Sequence, residues 1–129
     1  VKADLLVDTS VWIDVYRGKD PTLTQQVATW AKSLRLSTCG LVLTELLRGA
    51  RTEPEYRQLV GDLGALDFLE STPEVFLKAA ELSFALRRKV HIVGLADAVI
   101  AATALVYKQQ VLTRDKEFAK IPSLKITLL

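Results

Sequence analysis

The sequence contains no methionine and only one cysteine, Cys39, so an intrachain disulfide is excluded. A lone cysteine agrees with a reducing, cytoplasmic compartment. The lack of methionine, initiator included, leads us to expect a chain trimmed or processed at its start. No apolar run reaches the ~18 residues of a membrane span, which argues against a membrane protein. Val1 to Asp8 carries acids at Asp4 and Asp8 and lacks the charged-then-apolar layout of a secretory signal. An excess of one charge is missing too. A formal net charge of +2 is too small to announce a nucleic-acid binder, so any electrostatic case for RNA must be local. The sole histidine, His91, has no second histidine or evident nucleophile to work with and is not read as catalytic. Repeats, low-complexity tracts and linkers are absent as well.

What remains is a globular chain: 129 residues, 50% hydrophobic and 25% charged, the size of one domain spanning 1–129. An apolar run ending at Asp8 reads as a strand feeding a helix that starts at Thr9 and breaks at Gly18 and Pro21. From Pro21, the spacing Leu23, Val27, Trp30, Leu34 predicts a helix with one core-facing stripe. Leu36–Cys39 is a short strand stopped by Gly40. Helices follow over Leu41–Ala50, with Leu43, Leu46, Leu47 and Ala50 on the apolar side, and through Tyr56, Leu59, Val60 and Leu63. Leu66–Leu69 is a weaker strand. A long helix opens at Pro73 with a stripe through Val75, Ala79, Leu82 and Leu86, and the basic run Arg87, Arg88, Lys89 closes it favourably for the helix dipole. Leu95–Tyr107 is a further helix, Val111–Thr113 a strand, and Leu124–Leu128 the last strand. Strands alternating with helices imply an α/β fold with a mainly parallel sheet covered on both faces. Cys39, Trp12 and Trp30 are read as packing residues, the tryptophans in the core or at a dimer contact.

Four acids stand where a structural residue gains little from charge. Asp8 ends an apolar strand and Asp115 follows another, and ligands of open α/β sheets bind beyond such carboxyl ends. Glu45 lies about one turn into the helix after the second strand, on the Val42–Gly49 flank. Asp97 sits in a segment apolar on every side, so burial is expected, and a buried lone carboxylate is costly unless paired or metal-bound. Carboxylates gathered at one crevice repel, and a hard cation such as Mg²⁺ or Mn²⁺ resolves the conflict. Singly, each acid has a plainer reading. Asp8 and Asp97 can cap helices, Glu45 can pair with Arg48 on a solvated face, and Asp115 can start a turn.

Four stretches change the balance when taken together: Leu6-Val-Asp8-Thr-Ser-Val-Trp-Ile-Asp14, Thr44-Glu45-Leu-Leu-Arg-Gly49, Leu95-Ala-Asp97-Ala-Val-Ile-Ala-Ala-Thr-Ala-Leu105 and Leu112-Thr-Arg-Asp115-Lys-Glu-Phe118. In this order the sequence resembles the PIN-domain family, and within it the VapC-like toxins of toxin–antitoxin pairs, over essentially its whole length. The resemblance implies a Rossmann-like three-layer sandwich and metal-dependent endoribonuclease activity on single-stranded regions of cellular RNA. Mg²⁺ would be the cofactor, with Mn²⁺ as substitute. The implied acidic site is Asp8, Glu45, Asp97 and Asp115, flanked by the hydroxyls of Ser10 and Thr113. The resemblance also implies a homodimer and a small cognate antitoxin that plugs the cleft with a peptide segment. Arg48, Arg51, Arg114 and Lys116 adjoin the acids in sequence and are candidates for tracking the RNA backbone; a solvated helix end explains them equally well. The stretch Lys89-Val-His-Ile-Val93 departs from the family, whose members often carry a small, Gly-containing turn there. Three other functions stay open: the same chemistry on DNA, a toxin that binds RNA without cutting it, and a phospho-accepting signalling domain. The last is weakened because Asp8 is followed by Thr9 and Ser10 and no Asp closes Leu66–Leu69.

Overall fold

Among the described residues five short strands, β1 (Leu5–Val7), β2 (Leu36–Cys39), β3 (Asp67–Leu69), β4 (Gln110–Thr113) and β5 (Ile126–Leu128), form one sheet in the order β3-β2-β1-β4-β5. Every pairing is parallel, with Leu5 opposite Leu36 on one side and Gln110 on the other. The computed structural model describes residues 3–129; Val1 and Lys2, the first two of the expected 1–129 domain, lie outside the described residues. Parallel strands need crossovers. These are supplied by α1 (Thr9–Tyr16), α2 (Pro21–Lys32), α3 (Gly40–Arg48), α4 (Glu53–Gly64), α5 (Pro73–Arg88) and α6 (Leu95–Tyr107), with a short 3-10 helix at Lys116–Lys120. The result is an α/β three-layer sandwich. Among the described residues no helix is long and apolar enough to cross a membrane.

Burial follows position in the sheet. All of β1 and β2 are buried, as is β4 after Gln110, while edge strands β3 and β5 are largely open. The chain runs outward from β1 through β2 to β3, then returns to β1's other side for β4 and β5. The reversal falls between β1 and β4, and it is beyond the carboxyl ends of strands at such a reversal that open α/β sheets bind ligands.

Several expected faces shift. Leu34 does not continue the α2 stripe: the helix ends at Lys32, and Leu34 takes a left-handed φ of 57° and is 69% exposed. In α3 the innermost row is Val42 and Leu46, whereas Leu43, Leu47 and Ala50 are only half-buried. That rotation turns Glu45, one residue from Leu46, toward α1. In α4 only Leu59 and Leu63 are buried, and Tyr56 and Val60 lie outside. β5 begins at Ile126, because a turn with Ser123 at φ 65° occupies the residues before it. The α5 stripe of Val75, Ala79, Leu82 and Leu86 is buried as expected, and Trp12 and Trp30 both pack on the core.

Candidate functional site

Asp8 stands at the end of β1, where the chain turns into α1. Its backbone N–H reaches the carbonyl of Leu112 on β4 at 2.9 Å, so the residue belongs to both central strands. Although it occupies the position before α1, its side chain makes no capping bond. Instead Oδ2 accepts from Ser10 Oγ at 2.7 Å and from Thr113 Oγ1 at 2.9 Å. Each hydroxyl in turn accepts a backbone N–H from the turn after β4, Ser10 from Arg114 and Thr113 from Asp115. Asp8 is only 5% exposed, and among the described residues no basic side chain pairs with it. A buried, hydrogen-bonded carboxylate without a counter-charge is costly, and both protein bonds use the same oxygen. Thr113→Val keeps shape but removes the donor, so it should cost about 1–3 kcal/mol in denaturant unfolding. A change well below that range would show that the hydroxyl does not hold Asp8.

The other acids lie near enough for the charges of Asp8, Asp115 and Glu45 to act on Asp97. Glu45 does not pair with Arg48; its Oε1 accepts from Thr9 Oγ1 at 2.8 Å, tying α3 to the start of α1. Asp97 lies in the first turn of α6, but the capping position belongs to Gly94, so Asp97 is not a cap either. It is half-buried rather than enclosed. Its carboxyl is pushed up to about 6, first by burial and then by the charges of Asp8, Asp115, Glu45 and Glu117. For Asp115 the plainer reading holds in part, since Oδ1 accepts from the Glu117 N–H at the start of the 3-10 helix. Glu117 was not anticipated from the sequence, nor was the role of Thr9. Both lie within the motif stretches, but only folding shows which way they face.

Among the described residues no three acid, His or Cys side chains stand close enough together to enclose an ion. The acids act on one another through their charges, but they do not form a closed cage. All offered donors are hard carboxylate oxygens, and the one cysteine is buried with its thiol pushed up by burial, which suits Mg²⁺ or Mn²⁺ over a softer metal.

The basic candidates separate. Arg114 is committed to the fold: its guanidinium pairs with Asp14 of α1 at 3.2 Å and with Asp20 at 3.3 Å. Asp20 also caps α2 through the Leu23 N–H, and that bond, with Arg114 second, holds its carboxyl below the usual range. Arg114 thus braces three segments, and unlike the other basic candidates it has acid partners. Arg48, Arg51 and Lys116 are exposed and, among the described residues, have no acid partner. Hollows adjoin two of the acids. One, of about 680 Å³, reaches Glu45 between α1, α3 and α4, with Arg51 at its wall. The other, of about 320 Å³, opens beside Asp97.

The PIN domain family model matches residues 5–124. The chain belongs to the PIN-domain family. The same fold recurs, at 20% identity and a TM-score of 0.84, in the crystal structure of VapBC2 from Rickettsia felis bound to a DNA fragment from their promoter, covering 97% of this chain and 98% of that one. DNA-bound VapBC from Salmonella typhimurium matches with a TM-score of 0.82 at 22% identity, covering 97% of both chains. In sequence, the PIN chain is 29% identical over 131 residues to ribonuclease VapC from Rickettsia bellii, spanning 95% of this chain and 93% of that protein.

Proposed function

We propose that the chain is a metal-dependent endoribonuclease toxin that hydrolyses phosphodiester bonds in single-stranded regions of cellular RNA. The observation that carries this reading is Asp8: buried, held on one oxygen by two hydroxyls, and, among the described residues, paired with no basic side chain. Similarity to a ribonuclease VapC supports RNA as substrate. Mg²⁺, or Mn²⁺ in its place, would be held by Asp8 and Asp97, with Glu45 and Asp115 at the sides. A three-carboxylate cage is not required, since Mg²⁺ commonly rests on one or two carboxylates, waters and substrate phosphate. When bound, the ion neutralises phosphate charge and acidifies water.

The chain's own residues supply the rest. Ser10 and Thr113 fix Asp8, and Thr9 fixes Glu45, so these hydroxyls act as positioning residues. Arg48, Arg51 and Lys116 track the RNA backbone. In this reading a cognate VapB-like antitoxin neutralises the toxin by laying a peptide segment in the hollow that leads to Glu45, whose walls include Trp12, Ile13 and Leu59. The protein works as a homodimer, a reading supported by the exposed Phe76, Leu77 and Phe84 along α5.

Purified chain incubated in Mg²⁺ with total RNA, and separately with single-stranded DNA, tests the proposal. Discrete RNA fragments with intact DNA are expected. Equal cutting of DNA would move the activity to the DNA reading, and RNA retention without cutting would make the protein a binder only.

A further inference from the structure

Apart from Asp97 and Glu117, the 320 Å³ hollow beside Asp97 has walls that the acidic site does not use. Its lining comes from the loop after α5 (Val90, His91, Ile92, Val93), Gly94, and the 3-10 segment with Glu117, Phe118, Lys120 and Ile121. The loop is built in an unusual way. Val90 has φ 64°, a left-handed conformation that is a genuine outlier for a β-branched residue. Backbone bonds hold it there: the Val90 N–H donates to Arg87 at 3.1 Å, and the His91 N–H to Leu86 at 2.9 Å. Val90 and Ile92, each 90% exposed, both line the hollow. In the same lining, Lys120 and Glu117 form an ion pair at 2.6 Å, which sets a donor and an acceptor beside the apolar side chains of Phe118 and Ile121.

Resting on the ribonuclease reading above, we propose that this hollow is a subsite for one unpaired nucleobase next to the scissile phosphate, and that the Val90–Val93 loop sets base preference there. Single-stranded RNA is read by splaying bases into apolar or stacking sites and hydrogen-bonding their edges. A volume of about 320 Å³ lies at the small end of ligand pockets, suited to a single ring system and too small for a protein helix. His91 and Ile92 supply a face for the base, and the Glu117–Lys120 pair supplies edge contacts. Charge favours nucleic acid as the occupant. The exposed Arg87, Arg88 and Lys89 lead directly into the loop, and among the described residues none has an acid partner; they give the flanking phosphates a basic track. Because Asp97 lines the same hollow, a base seated there holds its own phosphate beside the acids.

The test uses the full chain and a pool of oligoribonucleotides randomised along their length. Wild type should select one base at one position beside the cut. The double variant His91→Ala/Ile92→Ala, altering two exposed loop side chains, should cut about tenfold more slowly, as expected for losing one stacked base, with that single-position preference erased. An unchanged preference in the double variant overturns the proposal. The same pool bound to Asp8→Asn, with the retained RNA sequenced, reads the hollow without cleavage. Base selection that persists in Asp8→Asn and disappears when the loop substitutions are added supports the subsite even if wild type cuts nothing, a result that sinks only the nuclease reading. A shift in oligomeric state by sedimentation in the double variant, with base selection intact, assigns the loop to a contact between copies and overturns the subsite.

Discussion

Asp8→Asn should lower RNA cleavage by about a thousandfold, the scale set by removing one preorganised electrostatic group from a phosphoryl or acyl transfer site. The substitution is nearly isosteric and keeps an oxygen for Ser10 and Thr113, so the fold should persist while the charge disappears. In cells expressing the wild type, mapping RNA 5′ ends should reveal discrete new cuts that are missing with the variant. In vitro, EDTA should silence the wild type to the level of Asp8→Asn, and Mn²⁺ should restore it. Identical end maps for the two proteins would remove Asp8 from the chemistry.

The second large effect belongs to Asp97. Its carboxyl holds a proton up to about pH 6 in the folded chain, against an ordinary value of 3.8. The folded state therefore binds that proton more tightly than the unfolded state. The associated stability is fully present below pH 3.8 and is lost as the pH rises through 6. At pH 7 without divalent ions the wild type carries the whole penalty and Asp97→Asn does not. A shift of this size corresponds to at most about 3 kcal/mol, and partial exposure to solvent reduces it to about 1 kcal/mol. Denaturant unfolding in EDTA should find Asp97→Asn more stable than wild type at pH 7, with the gap closing as the pH falls toward 4. Mg²⁺ should reverse the order of gains, raising the melting temperature of wild type more than that of the variant, because the ion relieves repulsion only where the carboxylate remains. A less stable variant at pH 7 in EDTA, or equal Mg²⁺ shifts, would count against ion binding at Asp97.

Much of this was readable in the sequence because period and punctuation carry it. Gly18, Pro21, Gly40 and Pro73 separate the elements, and the α5 stripe appears in the right residues. Asp8 and Asp97 stood out because charge interrupts apolar segments. What escaped are relations between distant parts of the chain. The face that α3 buries depends on α1 as well as on its own leucines, so Val42 took the place expected for Leu47. Leu34 fits a helical stripe in spacing, yet the helix has ended before it. Arg114 neighbours Asp115 in the chain, yet its ion pairs are with Asp14 and Asp20, which local spacing does not announce. Nothing in local spacing announces Glu117 as a contributor to the field on Asp97.

The bond from Thr113 to Asp8 joins residues 105 positions apart, and β1 gains its second neighbour only when β4 arrives. Such distant pairing comes late in folding, after a long loop has closed. A nascent chain emerging from the ribosome thus exposes Asp8 early but cannot anchor it until the β4 segment has been made. Products of interrupted translation that stop before Thr113 carry the acid without its hydroxyl clasp and should be harmless to the cell that makes them.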